Sequence, residues 1–298
     1  MWPIEVIEAL LVGSLTMCLA ASAGDAGGDD PVPRPDAMQD SPAEQSAWLD
    51  QVIPELVAAM RASEEVRAKV AGPLAAVKAT PSPLTPQAEG LAPGDLGRWS
   101  VLADAAVAAN PRYGRVGKAK PRPTVAVMPH TGIVRVEATY PAPPASKDLE
   151  PGPLTIDAWV CPDRETALAL FWLRSVVLTI DTRLPETLRQ SVLDTKAVMP
   201  LLDAKEKPPG ERAFWYDPRF AISVILTKGH KPMPADRLCF LRGNMVVEAS
   251  TVEFTRGRPN EEWKAWPLER CAPDVVAIMR AIDAGLVRFQ KPEAPKSK

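Results

Sequence analysis

The stretch "LCFLRGNMVVEA", residues 238–249, places two apolar runs on either side of Gly243-Asn244. Both central positions of a tight hairpin turn need a positive φ, which Gly and Asn tolerate. The stretch therefore predicts a β-hairpin in which Leu241 lies opposite Val246. A hairpin here makes an antiparallel sheet the expected centre of the fold.

Side chains alternate between the two faces of a strand, so this hairpin has two distinct faces. Arg242 and Glu248 are its charged residues, and we expect both to point into solvent. The hairpin is accordingly interpreted as scaffold and not as part of a functional site. One face should carry Leu238, Phe240, Met245, Val247 and Ala249, and the other Cys239, Leu241, Val246 and Glu248.

Alternating patterns also occur upstream of the hairpin. Residues 133–140 and 154–160 alternate apolar with polar side chains, which is typical of strands with one solvated face. A helical pattern that begins with Pro-Asp follows Cys161 and occurs again after Cys271. We predict an α+β fold, in which an antiparallel sheet carries helices on one face.

The order of strands followed by a Pro-Asp helix occurs twice within residues 120–290. One interpretation of this α+β domain is an internal duplication, in which residues 120–180 and 211–290 are two diverged β-β-β-α blocks. Residues 41–110 are predicted to form a preceding helical subdomain, because a capping box at its start is followed by apolar residues at four-residue spacing. Residues 291–298 are expected to form a disordered tail.

The apolar segment Ala9–Ala23 reads "ALLVGSLTMCLAASA" and ends in a small-x-small motif. As a helix it spans roughly 22 Å, short of the ~30 Å bilayer core, so residues 1–23 are predicted to be a cleaved signal peptide. The polar residues 24–40 should form a flexible tether. Two other interpretations stay open: a lipoprotein acylated at Cys18, or a buried N-terminal helix of a cytoplasmic protein. The preceding segment contains two Glu and no basic residue, which is atypical of a signal peptide.

The charge balance bears on the partners. The chain has 35 Lys and Arg and 37 Asp and Glu, and two of the Glu precede the predicted cleavage point, so the mature chain would be neutral. A neutral surface exerts no long-range attraction on nucleic acid, so we expect no such partner. We also expect no membrane span after cleavage, no cofactor and no metal, since the chain has no Cys/His zinc spacing. An envelope protein or a polysaccharide is the expected partner class.

Three cysteines follow the leader: Cys161, Cys239 and Cys271. Cys161 and Cys271 each precede a Pro-Asp helix start, where a helix N-terminus stabilises a thiolate. They either form a disulfide, provided that the two helices lie side by side, or stay separate structural thiols. Cys239 lies between Leu and Phe in the hairpin and is expected to pack as a small apolar residue.

Catalytic candidates are few. His130 and His230 occur at turns bounded by Gly or Pro, where a His can serve as a general base. Neither is framed by a nucleophile motif such as GxSxG, so a surface position without a role is the simpler interpretation. Asp157 beside Trp159, and Asp217 in "FWYDP", combine a carboxylate with aromatic rings, as carbohydrate sites do.

Two further aromatic residues complete the candidate set. "EEWKAWP" places Trp263 and Trp266 three residues apart, as either an exposed binding edge or a cover over the last helix. The lack of catalytic motifs favours an exported, non-catalytic binding or structural module of the periplasm or cell surface. The alternative is a secreted hydrolase, with carbohydrate as the candidate substrate, that uses Asp217, His230 or Asp157.

Overall fold

The structure is a computed structural model. It describes residues 42–72, 74, 80–115, 121–144, 149–176, 198–200, 209–216, 235–255 and 273–289. The helices are α1 (Pro42–Ala62), α2 (Glu64–Ala71), α3 (Pro93–Ala108), α4 (Arg164–Val176) and α5 (Pro273–Phe289), with a 3-10 turn at Tyr113–Arg115. The strands are β1 (Pro86–Gln87), β2 (Gly90–Leu91), β3 (Thr124–Val127), β4 (Val134–Tyr140), β5 (Leu149–Val160), β6 (Val198–Pro200), β7 (Arg212–Tyr216), β8 (Ala235–Arg242) and β9 (Met245–Thr255).

Seven of the strands form one antiparallel sheet in the order β3-β4-β5-β9-β8-β7-β6. β1 and β2 form a separate two-stranded ribbon. The long strands β5 and β9 pair with each other at the centre of the sheet, and β4 and β8 flank them. This arrangement confirms the predicted α+β class with an antiparallel sheet.

The β8–β9 hairpin has the predicted register, with Leu241 opposite Val246. Gly243 has a φ of 58°, and a Cβ at this position would lie 2.9 Å from the carbonyl oxygen of Pro81, so the turn requires glycine. The side chain of Asn244 donates hydrogen bonds to backbone carbonyls of two other segments. The turn is therefore tied into the protein and not free at its tip.

Helices cover both faces of the sheet, which corrects the prediction that they lie on one face. On the apolar face, α3 and α5 share a core with the strands; on the opposite face, called the charged face below, α1, α2 and α4 do so. The hairpin explains the correction, because β8 buries Phe240 on the apolar face and Leu241 on the charged face. A strand with apolar side chains on both faces needs a cover on each.

The helices of the predicted 41–110 subdomain divide between these two layers. α1 and α2 contact α4, whereas α3 contacts α5. The blocks 120–180 and 211–290 each supply three neighbouring strands, which meet at the β5–β9 pair. If the two blocks were related by a two-fold axis that exchanges the antiparallel strands β5 and β9, that axis would be perpendicular to the sheet. Such an axis would place α4 and α5, the helices that end the two blocks, on the same face. Because α4 and α5 lie on opposite faces, the helices do not follow the symmetry of the strands.

The predicted signal peptide 1–23, tether 24–40 and tail 291–298 lie outside the described residues. Their predictions therefore stay predictions. Across the segments that the structure does describe, no helix combines the length and the apolar composition that crossing a membrane would require.

Candidate functional site

Arg242 and Glu248, the charged residues of the stretch 238–249, are buried, contrary to the prediction that they face solvent. Glu248 is 4% exposed and Arg242 is 8% exposed. Arg242 makes two hydrogen bonds to Asp283 of α5, at 2.7 and 2.8 Å, and Glu248 accepts a similar pair from Arg174 of α4. Buried charges require such partners. The hairpin thus anchors one helix to each face of the sheet through an ion pair.

The pair formed by Glu248 belongs to a charge cluster on the charged face. Its members are Arg135, Glu137, Asp157, Arg174 and Glu248. Arg135 donates from Nε to Asp157 at 2.7 Å and from Nη2 to Glu137 at 2.6 Å. Arg174 donates to Glu248 from Nε at 3.0 Å and from Nη2 at 2.6 Å. The pairing of β5 with β9 sets Asp157 directly opposite Glu248, so two guanidinium groups serve three carboxylates.

Trp159 lies between the two arginines of the charge cluster. The guanidinium carbon of Arg174 is 4.5 Å from the centroid of the indole ring, and that of Arg135 is 5.4 Å from it. Trp159 is buried, and cation–π attraction is stronger where water is excluded. The indole ring therefore helps to hold both guanidinium groups beside their carboxylates.

Asp157 binds its proton more tightly than an ordinary aspartate does. Burial raises the pKa of Asp157 from 3.8 to about 6, and the negative charge of Glu248 adds to the rise. The hydrogen bond and the positive charge of Arg135 oppose it. With all five groups ionised, the charge cluster carries one excess negative charge, which a proton on Asp157 removes.

The charge cluster lies between a buried region and a partly exposed polar region of the charged face. Toward Trp159 the face is buried in the core shared with α4. In the other direction Thr139 is exposed and Thr155 is half-buried, and their hydroxyl oxygens lie 3.1 Å apart. Ser250, paired with Thr155, is also half-buried. These polar side chains border the buried Asp157, whose raised pKa makes reversible proton binding the chemistry that the arrangement supports.

The structure places one of the three predicted catalytic residues. Asp157 lies in the charge cluster, where its carboxylate is bound to an arginine. Asp217 and His230 lie outside the described residues, as do the predicted binding residues Trp263 and Trp266. Within the described segments, Asp157 is therefore the catalytic candidate whose surroundings are defined.

The other histidine, His130, is exposed in the turn between β3 and β4, in agreement with the interpretation of a surface His. Its backbone N–H donates to the carboxylate of Asp50 at 3.0 Å. The backbone N–H and the hydroxyl of Thr131 donate to the same carboxylate, at 2.8 and 2.7 Å. Asp50 is buried in α1, so these bonds fix the turn to the helices of the charged face, which is a structural role.

Cys161 and Cys239 are buried free thiols. Burial raises the pKa of the Cys161 thiol well above its ordinary value, and the negative charge of Asp163 acts in the same direction. These effects outweigh the stabilisation of a thiolate that was inferred from the helix start. Cys239 packs in the core of the charged face, as predicted. Cys271 lies outside the described residues, so its pairing with Cys161 stays a prediction.

Sequence reasoning did not identify four members of the charge cluster as site residues, namely Arg135, Glu137, Arg174 and Glu248. One signal pointed to Arg174, because it is a lone basic residue in the otherwise apolar run "ALALFWLRSVV". A charge on a helix that is apolar around most of its circumference has to be paired inside the protein. No comparable signal marks Arg135, whose alternation with apolar neighbours is also that of a solvated strand.

Comparison of the chain with protein-family models, with curated proteins and with solved structures gave no match. In the part of the chain that the structure describes, His, Cys, Asp and Glu side chains form no group of three or more that could hold a metal ion.

Proposed function

We propose that the protein is an exported, non-catalytic module of the periplasm or cell surface, with a binding or structural role. The apolar segment Ala9–Ala23, which ends in a small-x-small motif, supports export. The non-catalytic assignment rests on one observation: Asp157 is 6% exposed and its carboxylate is bound to Arg135. A general acid or base has to reach the reacting group, whereas this carboxylate is engaged by a guanidinium group.

The way in which the helices are fixed to the sheet also supports this proposal. The Arg174–Glu248 and Arg242–Asp283 pairs tie α4 and α5 to opposite faces of one hairpin. Pairs of this kind hold a scaffold in one arrangement, which suits a module that presents a surface to a partner. The partner class proposed from the sequence is an envelope protein or a polysaccharide.

A secreted hydrolase is the second candidate, and one observation favours it. A carboxyl group with a pKa of about 6 is suited to act as a general acid near neutral pH. This function would require Asp157 to act with Asp217 or His230, and it would require substrate to displace Arg135 from the carboxylate.

Export is tested by fractionating cells that express the full chain with a C-terminal tag and by reading the N-terminus of the purified protein by mass spectrometry. We expect an envelope fraction whose first residue is Gly24. Ala21→Leu should leave the precursor uncleaved, because the small-x-small motif is lost, and Cys18→Ser should change nothing. Recovery of the protein from the cytosol with Met1 or Trp2 as its first residue would contradict export.

The non-catalytic assignment is tested with purified protein and a panel of polysaccharides and chromogenic glycosides. We expect no turnover that depends on the chain. Turnover that is lost in Asp157→Asn and retained in Thr155→Val, a neighbouring substitution on the same strand, would establish the hydrolase and overturn the assignment.

A further inference from the structure

A groove of about 550 Å³ lies between α3 and α5, the two helices that cover the apolar face. Val101, Leu102 and Phe289 contribute apolar walls, and Gly97 contributes a position without a side chain. Val101 is 66% exposed, which is unusual for a large apolar residue beside others of its kind. The groove is open to solvent along one side, so a ligand bound in it would be only partly buried.

The two glycines of the groove have opposite surroundings. A Cβ at Gly285 would lie 2.1 Å from a methyl carbon of Leu102, so the helices are in close contact at that point. A Cβ at Gly97 would meet nothing within 4 Å. The groove is therefore closed where Leu102 packs on α5 and open along the surface of α3 that contains Gly97.

The charged side chains of the groove are both basic. The guanidinium group of Arg98 lies 4.9 Å from the centre of the Phe289 ring and donates to Asp95 at 2.8 Å. Arg288 is exposed, and its Nε donates to the backbone carbonyl of Ala284 at 3.4 Å. Among the described residues Arg288 makes no ion pair, so its positive charge is available at the edge of an apolar groove.

We propose that this groove binds a single-chain anionic amphiphile, namely a long-chain fatty-acid anion. Its acyl chain lies against Val101, Leu102 and Phe289, and its carboxylate is held by Arg288. Arginine forms two-bond pairs with carboxylates, which gives such a contact both strength and orientation. The inference goes beyond the proposed function and is independent of export, because purified protein tests it.

The charges also argue against two other occupants. In a symmetric contact between two copies, each copy presents the same patch, so the contact would bury Arg98 and Arg288 of both copies without adding a new carboxylate from the groove. The C-terminal residues 291–298, "KPEAPKSK", contain three Lys and no large apolar side chain. Neither occupant complements an apolar groove with a basic edge.

The probe is dodecanoate, titrated into the full chain by calorimetry below its micelle concentration. We expect saturable binding of one equivalent, and binding of dodecyltrimethylammonium that is at least tenfold weaker. Equal affinity for the cationic probe, or no binding of dodecanoate, would overturn the proposal. Sedimentation without the probe should show a single copy; a dimer that Gly97→Leu dissociates would assign the groove to a second copy instead.

Three variants locate the site. Gly97→Leu places a side chain in the groove, at a position where its Cβ would meet nothing within 4 Å, and should weaken dodecanoate binding at least tenfold. Gly94→Leu introduces the same side chain on the same helix, also into open space, but outside the groove, and should bind as the unaltered chain does. Arg288→Gln should weaken the binding of dodecanoate several-fold and leave that of dodecanol unchanged. Unchanged dodecanoate binding in both Gly97→Leu and Arg288→Gln would refute the assignment.

Discussion

The two faces of the sheet are both buried, and each is joined to a helix by one ion pair of the hairpin, but they differ in what lies at the centre of the sheet. On the apolar face, buried apolar side chains of the central strands, such as Ile156 and Phe240, pack with α3 and α5 in one hydrophobic core. On the charged face, the same central strands carry Asp157 and Glu248, and α4 contributes Arg174 to meet them. At the centre of the sheet, one pair of strands therefore presents apolar side chains on one face and the charge cluster on the other.

The difference predicts how each face responds to change. Apolar contacts are non-directional and tolerate substitutions that keep volume and polarity. A buried ion pair contributes little over an apolar replacement of both partners, yet the loss of one partner is costly because the other charge is left without compensation. Four substitutions, taken from the largest expected effect to the smallest, examine this contrast.

Arg174→Met should have the largest effect, because it leaves Glu248 buried without its guanidinium partner. We expect the free energy of unfolding to fall by about 4 kcal/mol, measured by urea denaturation at neutral pH. The double substitution Arg174→Met with Glu248→Met removes both charges and should recover most of the loss. A double variant as unstable as the single one would show that the pair itself, and not the uncompensated charge, carries the stability.

Asp157→Asn should change the dependence of stability on pH. The pKa of Asp157 is about 6 in the folded protein and takes its ordinary value of about 3.9 when unfolded, so between these values the folded state holds more protons. The contribution of Asp157 is therefore fully present below about pH 4 and is lost as the pH rises through about 6, by about 3 kcal/mol in total. Asn cannot titrate and should show no such loss.

This effect is measured as the free energy of unfolding of Asp157→Asn minus that of the unaltered chain, which should increase by about 3 kcal/mol from about pH 3 to about pH 8. Ile156→Val, at the neighbouring position on the other face, is the control, and its difference should not vary with pH. A constant difference for Asp157→Asn would mean that the carboxyl group titrates normally in the folded protein.

Tyr113→Phe should have a smaller effect on the apolar face. The hydroxyl of Tyr113 lies 2.8 Å from that of Thr251, and the bond is buried. Removing it should cost about 1 to 2 kcal/mol, because the Thr251 hydroxyl loses this partner. Adding Thr251→Val should restore part of the stability in thermal or urea unfolding. A loss as large as that of Arg174→Met would erase the contrast between neutral and charged contacts.

Ile156→Val should have the smallest effect. It removes one methylene group from a fully buried side chain of β5 and should cost about 1 kcal/mol. The loss should be the same at low and high salt, since no charge is involved. The free energy of unfolding is measured by urea denaturation at each salt concentration. A loss of stability that depends on salt would indicate that the charge cluster responds to packing on the opposite face.

The β8–β9 hairpin shows how much of the fold was readable in advance. Its turn, its register and the division of its side chains between two faces follow from Gly243-Asn244 and from the alternation of neighbours. The assignment of helices to the two faces could not be predicted from the sequence. Apolar residues on both faces of β8 show that each face must be covered, but they do not show which helices cover it. The prediction of a single covered face was wrong because Cys239, Leu241 and Val246 make the second face of the hairpin apolar as well.

The candidate site was readable only in part. Asp157 was identified through its aromatic neighbour Trp159, and the structure shows that this ring packs against two arginines. Arg135 is 22 residues away from Asp157, and Arg174 is 74 residues away from Glu248. The alternation along a strand shows which face of the sheet a residue lies on. It does not show which charged residue from a distant part of the chain pairs with it.

The sequence by itself determined the hairpin, its register and the side of the sheet on which each of its residues lies, because steric limits at the turn and a two-residue period act between near neighbours. Only the tertiary structure decided that α4 and α5 lie on opposite faces, that Glu248 is buried, and that Asp157 holds a proton to about pH 6. Those properties arise from desolvation and from charges that distant segments bring together, and neither is a property of any local stretch of the chain.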